Sequence, residues 1–145
     1  MRFVQISIED APRVAQLIAA AFAVPPWCEE WEAARALAYA REGLDGANAL
    51  AFALAEGETL CALAMGHVRH WHDRTELILE DVCVHPERQG QGLGGQLLEK
   101  TAEAAKSLAI DEIGLRTRRD AAAYRFYQKH GFAVLEKDVY LSRKL

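Results

Sequence analysis

Two hydrophobic periods alternate along this chain, and each change of period predicts a new element. Residues 2–8 alternate between apolar and polar side chains, as a half-buried β-strand does. The period then becomes that of a helix, for which Asp10 is a suitable N-cap and which Pro25-Pro26 ends. The apolar face of this helix consists of Val14, Leu17, Ile18 and Phe22. The chain is therefore predicted to open with a strand and an amphipathic helix.

The middle of the chain is predicted to form one further helix and three strands. The helix covers about residues 30–42, and Gly43 and Gly46 end it. Residues 48–55 and 59–69 flank a Glu-Gly-Glu turn, which indicates a hairpin. Residues 76–84 are apolar on both faces, as is typical of a central strand.

The last third of the chain predicts the order helix, strand, helix, strand. A long helix opens near Gly92 with one apolar face, and a strand follows at about 112–117. A short helix over 120–130 ends at Gly131, and residues 132–141 are predicted as the final strand. This order predicts an α/β fold of the α+β three-layer type, with a mixed central sheet of about six to seven strands flanked by about four helices. A single domain, residues 1–145, accounts for the whole sequence.

Composition and charge exclude several classes of function. The sequence has 17 basic and 21 acidic residues and a net charge of −4, which argues against a nucleic-acid partner because phosphate neutralisation needs clustered Lys and Arg. No apolar stretch approaches the ~20 residues of a membrane helix, and the first residues lack a signal peptide's apolar core. We therefore expect a cytoplasmic protein without a membrane partner. Cys28, Cys61 and Cys83 form no CxxC pair, which disfavours a disulfide framework or a zinc site.

A glycine-rich loop joins the predicted central strand to the long helix. Free N–H groups at a helix N-terminus bind phosphate, and glycine lets the backbone approach an anion closely. Gly90, Gly92 and Gly95 satisfy GxGxxG, but the loop starts too far beyond the strand and no acidic residue ends the next strand, which disfavours a dinucleotide site. The Gly-Lys-Ser/Thr of a Walker A loop is absent as well. Gln89, Gly92 and Gly94 instead satisfy an R/Q-x-x-G-x-G/A pattern.

With that pattern, the chain resembles the GCN5-related N-acetyltransferase (GNAT) superfamily in two segments. Residues 82–94, VCVHPERQGQGLG, are similar to the family's acetyl-CoA segment from strand 4 into helix 3. Residues 123–132, AYRFYQKHGF, are similar to its A-x-x-[LF]-Y-x-x-x-G-F segment. Both segments occur in the family's order and at its usual separation, which favours the resemblance over ordinary turn glycines beside a core tyrosine.

The resemblance implies how acetyl-CoA would bind. The pyrophosphate would lie on the loop amides, and the pantetheine arm would add to the edge of strand 4 like a further strand. An amide there would also hold the negative charge that develops on the acetyl oxygen. The cofactor residues implied in this way are Val82, Cys83, Val84, Gln89, Gly90, Gln91, Gly92, Leu93, Gly94, Asp120 and Tyr127.

Two residues are the catalytic candidates. The resemblance makes Tyr127 the general acid that protonates the leaving thiolate, and a buried aromatic is its alternative role. A base must deprotonate the acceptor, because only the free amine attacks a thioester. On a regular strand residues 78, 80, 82 and 84 share one face, with Asp81 and the small core residue Cys83 on the other. Glu80 is therefore predicted as the base, with substrate binding or an ion pair as the alternative.

The remaining candidates concern the acceptor. The resemblance implies that the segment between the first two helices covers the acceptor cleft, where Trp27, Glu30 and Trp31 suit a cationic amine. The alternative is a capping acidic pair beside two core tryptophans. Asp120 stands where many family members have an asparagine, and Leu115 where the ribosomal-protein N-terminal acetyltransferases carry a glutamate. The second departure disfavours a peptide N-terminus as the acceptor.

The sequence thus predicts an acetyl-CoA-dependent N-acetyltransferase that acts directly on a primary amine of a small molecule or peptide, in a ternary complex. A non-catalytic acyl-CoA-binding module and a transferase of another acyl group are the alternatives. A homodimer is compatible with the resemblance. No metal is predicted, because the polar cluster at one strand end is more typical of a solvated loop. That cluster consists of His67, His70, His72 and Asp73.

Overall fold

Four helices pack on the two faces of one mixed β-sheet in the computed structural model, which describes all 145 residues. The strands are β1 (Arg2–Ile6), β2 (Ala49–Glu56), β3 (Thr59–His70), β4 (Thr75–Val84) and β5 (Glu112–Leu115). The helices are α1 (Ala11–Phe22), α2 (Ala33–Leu44), α3 (Leu93–Ser107) and α4 (Ala122–Lys129). Short 3₁₀ turns precede α1 and follow β4.

The strand order in the sheet follows the chain, from β1 to β5. The first four strands are antiparallel neighbours, whereas β5 joins β4 in parallel after the crossover through α3. The pairing of these last two strands extends only from Glu76–Glu112 to Leu79–Leu115. β4 continues through residues 80–84 beyond the last pair, so its end has a free edge on the side of β5.

Apolar side chains cover both faces of the sheet, because its central strands are hydrophobic at consecutive positions. On one face Val14 of α1 joins Leu63 and Met65 of β3 in a core with α2. On the other face Leu97 of α3 joins Leu77 of β4. The α/β three-layer fold is therefore confirmed. None of the helices combines the length and the apolar character that crossing a membrane requires.

The structure corrects the number of strands to five, because residues 132–141 do not form the predicted strand. The N–H of Asp138 donates to the carbonyl of Leu135 at 3.1 Å, so a turn interrupts the segment at its charged residues. The residues before and after this turn do not pair with β5. Leu135 and Leu141 are 69% and 84% exposed. An alternating pattern becomes a strand only where a partner strand lies in register. The other predicted elements are present, with bounds that shift by a few residues.

Candidate active site

The glycine loop presents unpaired backbone N–H groups at the start of α3. Gly92 is the N-cap of this helix with a φ of +78°, and no side chain caps it. Gly90 has a φ of +76°, and a Cβ at either glycine would meet no atom within 4 Å. This left-handed backbone favours glycine, and the free amides with the helix dipole form an anion site. The loop therefore fits the pyrophosphate that the resemblance implies.

Gly94 and Gly95 have a further role, because α4 packs directly on the first turn of α3. A Cβ at Gly94 would lie 3.0 Å from Phe126 Cζ, and a Cβ at Gly95 would lie 2.8 Å from His130 Cε1. This close approach holds Tyr127, the residue after Phe126, in the part of the core that contains the end of β4. The absence of a side chain at Gly94 thus leaves room for α4, in addition to the predicted contact of this glycine with phosphate.

The free edge of β4 begins where β5 diverges. The N–H of His85 donates to the carbonyl of Cys61 in β3 at 2.8 Å, and backbone groups alternate in direction along a strand. Val82 and Val84 therefore direct their N–H and C=O groups to the side of β5. Gln89 Nε2 donates to the Val84 carbonyl at 3.3 Å and ties the glycine loop to this edge. An extended ligand can add here as a further strand would.

A β-bulge interrupts β4 just before the free edge. The pairing register with β3 shifts between Met65 and Gly66, which leaves Glu80 without a partner on that strand. A Cβ at Gly66 would lie 1.9 Å from the carbonyl oxygen of Ile78, so the two strands approach here only because this residue is glycine. The bulge in β4 is therefore made possible by a residue of β3.

The bulge overturns the predicted faces of β4. Leu79, Val82 and Val84 all belong to the α3 side of the core, although the first has the opposite parity to the other two. Glu80 and Asp81 both point to the α2 side, where the first lines a pocket with that helix and the second is bonded to it. An inserted residue moves every later side chain to the other face. The prediction that Glu80 shares a face with Val82 is therefore wrong.

Glu80 lines an open pocket of about 340 Å³ beside the C-terminal end of α2. Its carboxylate pairs with His67 Nδ1, and 49% of its side chain is exposed. Glu42 and Asp45 line the same pocket, which makes it acidic. His67 therefore pairs with Glu80, and not with His70, His72 or Asp73, with which it forms the polar cluster in the sequence. No three His, Cys, Asp or Glu side chains come together in a group that could hold a metal ion.

Asp81 is the site residue that sequence reasoning missed. Tyr39 Oη of α2 donates a hydrogen bond to Asp81 Oδ2 at 2.7 Å, and the aspartate is 7% exposed. Burial raises the pKa of Asp81 to about 6; the Tyr39 hydrogen bond opposes this shift, whereas Glu80 and Glu29 add to it. The signal in the sequence was an aspartate within an apolar central strand, where a charge is costly to bury.

Tyr127 is partly buried beside the end of β4. Its ring contacts Phe126 and Phe132 edge-on, with centroids 5.4 and 5.6 Å away. Burial raises the pKa of Tyr127 to about 12, and the neighbouring Cys83 and Asp81 add to the shift. The phenol therefore holds its proton at neutral pH. The Cys83 side chain is buried in the α1–α2 side of the core, so it contributes no side-chain contact at the free edge.

The segment between α1 and α2 carries the three predicted acceptor residues in different environments. Trp31 packs on Tyr39 with centroids 5.1 Å apart, and its Nε1 donates to Glu29 at 2.9 Å. Trp27 packs edge-on against the last residue of α1, with centroids 5.9 Å apart. Glu30 is exposed. Of these three residues, Trp31 contacts Tyr39, which in turn is hydrogen-bonded to Asp81 of β4.

Two positions that depart from the family pattern have their own local partners. Arg118 donates two hydrogen bonds to the carboxylate of Asp120, at 3.0 and 2.7 Å, and both side chains are exposed. The hydrogen bonds from Arg118 lower the pKa of Asp120. Leu115 is the last residue of β5 and pairs with Leu79, at the point where the two strands separate. The apolar side chain of Leu115 leaves β5 without a carboxylate at this point.

Proteins of known structure share this architecture. A model of the Acetyltransferase (GNAT) family matches residues 12–132. An aminoglycoside acetyltransferase from an uncultured soil metagenome, in complex with sisomicin, is 16% identical with a TM-score of 0.77, over 99% of this chain and 95% of that one. A ribosomal-protein-alanine N-acetyltransferase from Brucella melitensis biovar Abortus 2308 is 17% identical with a TM-score of 0.77, over 99% and 100%. An integron cassette protein from V. cholerae is 12% identical with a TM-score of 0.82, over 99% and 91%. No curated protein sequence matches the chain significantly.

Proposed function

Since the chain belongs to the acetyltransferase (GNAT) family, we propose that it transfers an acetyl group from acetyl-CoA directly to a primary amine in a ternary complex. One observation carries this proposal: three elements meet at one point of the structure. The uncapped start of α3 offers free amides, the end of β4 has a free edge, and Tyr127 of α4 packs partly buried beside that edge. An anion site, a strand-addition site and a proton donor are therefore adjacent.

Each part of the donor has a counterpart in the chain. The amides from Gln89 to Gly94 bind the pyrophosphate, and Val82 and Val84 bind the pantetheine arm through their backbone. Acetyl-CoA bound in this way supplies an activated thioester. Direct attack by the amine is favoured over an acyl-enzyme, because burial raises the pKa of the Cys83 thiol and keeps this nearby nucleophile protonated.

Tyr127 is proposed as the general acid. Its hydroxyl is protonated at neutral pH because burial raises its pKa to about 12. A thiolate that forms as the C–S bond breaks takes that proton. On the α2 side of the same strand, Glu80 and Asp81 are two carboxylates of suitable chemistry for deprotonating the acceptor, of which the sequence predicts Glu80.

The acceptor is proposed to be a cationic amine. Glu29, Glu80 and Asp81 surround Tyr39 closely enough that each raises its pKa, so the α2 side of the site is acidic. Trp27, Glu30 and Trp31 of the covering segment add aromatic faces and a further charge. The aminoglycoside acetyltransferase of the same fold is in complex with sisomicin. Polyamines and aminoglycosides are therefore the first acceptor classes to test, and peptides the next.

Release of free coenzyme A thiol tests the proposed reaction. The assay combines the protein, acetyl-CoA and a panel of polyamines, aminoglycosides, amino acids and peptides, and we expect turnover of at least one cationic amine. Calorimetry measures acetyl-CoA binding in parallel. Binding without turnover of any amine would favour a non-catalytic acyl-CoA-binding module, and faster turnover with a longer acyl-CoA would favour another acyl group. Absence of both binding and turnover would contradict the proposal.

A further inference from the structure

Asp81 is the one charged residue in the buried interior, and its partner carries no charge. Buried carboxylates are normally paired with Arg or Lys, because an unpaired buried charge is costly. Here the tyrosine hydroxyl of Tyr39 donates to Oδ2, and this is the one hydrogen bond that the protein makes to the Asp81 carboxylate. A carboxylate in this state is available to a ligand that brings a proton or a positive charge.

The position of Asp81 is also that of the reacting groups. It immediately precedes Val82, the first residue of β4 with free backbone groups. Tyr127 packs in the same part of the core as Val82 and Val84, so the proposed acid lies beside the residues that directly follow Asp81. Glu80, in contrast, is half-exposed and already engaged by His67. Of the two carboxylates, Asp81 alone is desolvated and directly precedes the free edge of β4.

We propose that Asp81, positioned by Tyr39, is the base that takes the proton of the acceptor's ammonium group, the role that the sequence assigns to Glu80. This inference rests on the proposed acetyl transfer. An N–H bond of the ammonium breaks and its proton passes to Asp81 Oδ1. The nitrogen lone pair then forms the C–N bond to the acetyl carbon, the C–S bond breaks, and Tyr127 protonates the departing sulfur. A second proton from the nitrogen restores Tyr127, and Asp81 returns its proton to solvent.

The groups that face Asp81 determine how it titrates. Tyr39 from α2 donates a hydrogen bond that stabilises the carboxylate, whereas the charges of Glu29 and Glu80 destabilise it. Cys83 on the same strand and Tyr127 from α4 are protonated neighbours, since burial raises the pKa of both. Removal of the Tyr39 hydroxyl should therefore raise the pKa of Asp81, and removal of the Glu80 charge should lower it.

Two measurements on the same variants test the proposal. Carbon-13 NMR of protein labelled at aspartate Cγ follows the titration of Asp81 without substrate. The pH profile of kcat/KM is recorded with acetyl-CoA and the most rapidly acetylated amine of the panel. We expect the acidic limb of this profile to match the NMR pKa. Asp81→Asn should abolish the limb and lower kcat/KM about 100-fold. Tyr39→Phe should move both the limb and the NMR pKa upward by the same amount.

The controls separate this assignment from its rivals. Glu80→Gln should retain the limb at slightly lower pH, and Asp138→Asn, in the exposed tail, should leave profile and titration unchanged. A limb that persists in Asp81→Asn and disappears in Glu80→Gln would return the role to Glu80. Titration of Asp81 at the ordinary value of an aspartate would overturn the proposal even if Asp81→Asn failed to fold. If the wild type acetylates no amine, the proposed function itself fails, whatever the NMR titration shows.

Discussion

At the scale of single residues, burial shifts the pKa of two ionisable side chains at the end of β4 in the same direction, with different consequences for their charge. It raises the pKa of Asp81 to about 6 and that of Tyr127 to about 12. The aspartate therefore changes its protonation state close to neutral pH, whereas the tyrosine holds its proton. Because the ordinary pKa values of the two groups are far apart, a rise in both pKa values yields one group that can accept a proton and one that can donate it.

Replacement of Tyr127 by Phe removes the hydroxyl and keeps the aromatic contacts. We expect turnover to fall about 10²–10⁴-fold with little change in acetyl-CoA affinity, since only proton transfer to the thiolate is lost. Tyr124→Phe is the matched control, because the Tyr124 hydroxyl accepts hydrogen bonds from Arg119 and Gln128, at 3.4 Å each, and has no proposed role in proton transfer. Thiol release at saturating substrate measures both variants. Wild-type turnover of Tyr127→Phe would assign proton donation to another group.

Burial of Asp81 also predicts a pH dependence of stability. Its pKa rises from 3.8 to about 6 on folding, so the native state binds more protons than the unfolded state between about pH 4 and pH 6. The contribution of Asp81 to the free energy of unfolding therefore falls as pH rises through this window, by about 3 kcal/mol. Asp81→Asn should remove this loss, so the variant gains stability relative to wild type as pH rises. Urea unfolding at both ends of the window measures it, and a pH-independent difference would contradict the prediction.

At the scale of elements, backbone geometry places the groups of the candidate site. The loop before α3 exposes its amides because Gly90 and Gly92 have positive φ. The side chains at the end of β4 lie on the opposite faces to those of a regular strand, because of the bulge that Gly66 permits. Glycine acts in both places through the absence of a side chain, in the first to leave space for a ligand and in the second to leave space for the neighbouring strand.

The variant Gly92→Asn tests the loop. Asparagine tolerates the left-handed backbone better than most residues, and its side chain would occupy the open space in front of the amides. We expect acetyl-CoA affinity to fall at least about tenfold, or about 1.4 kcal/mol, in a calorimetric titration. Gly57→Asn in the β2–β3 hairpin, with a φ of +59° and equally open surroundings, controls for the backbone cost. Equal affinity in both variants would remove the pyrophosphate from this loop.

The variant Gly66→Ala tests the bulge. Its Cβ would overlap the carbonyl of Ile78, which is backbone and can move only if the strands separate. We expect the free energy of unfolding to fall by about 1–3 kcal/mol, as in other overpacked sites, and turnover to fall with it. In the control Gly43→Ala the new Cβ meets the flexible end of Met65 instead, so its free energy of unfolding should fall less. Chemical denaturation compares the two variants, and equal losses would count against a special role of Gly66.

At the scale of the whole molecule, the net charge of −4 is less informative than its distribution. Carboxylates gather on the α2 side of β4, where Glu29, Glu80 and Asp81 all act on Tyr39. The α3 side, which would bind the anionic donor, presents free helix amides instead. Under the proposed function, an anionic donor at the loop and a cationic acceptor on the α2 side would each meet a field of suitable sign.

This distribution predicts how salt affects acceptor binding. For a polycation such as spermidine, Glu30→Gln should raise KM at low salt, and the effect should shrink at high salt because screening weakens exposed charge pairs. Trp27→Ala should raise KM at both salt levels, since its contribution is contact area. Glu103→Gln on the exposed side of α3 is the control. Steady-state kinetics at two salt concentrations measures the effect. A preference for acceptors that are neutral or anionic at their far end would contradict a cation site here.

The site was predictable from the sequence to the extent that it depends on neighbours along the chain. The loop before α3, the helix that carries Tyr127 and the order of elements all follow from residues a few positions apart. The sequence placed Glu80 on the correct strand but on the same face as Val82, which is wrong, because a regular period of two was assumed across residue 80. Asp81 was overlooked for the same reason, and because its partner Tyr39 lies 42 positions away.

The sequence by itself determined the helices, the strands up to β5 and the position of the glycine loop, since periodicity, caps and turn residues act locally. The tertiary structure alone decided three features. Whether residues 132–141 become a strand depends on a partner edge, which they lack. Which side β4 presents after residue 79 depends on its register with β3, where Gly66 allows the bulge. Whether Asp81 is solvated or buried depends on how α2 packs over it, because desolvation is produced by neighbours distant in sequence.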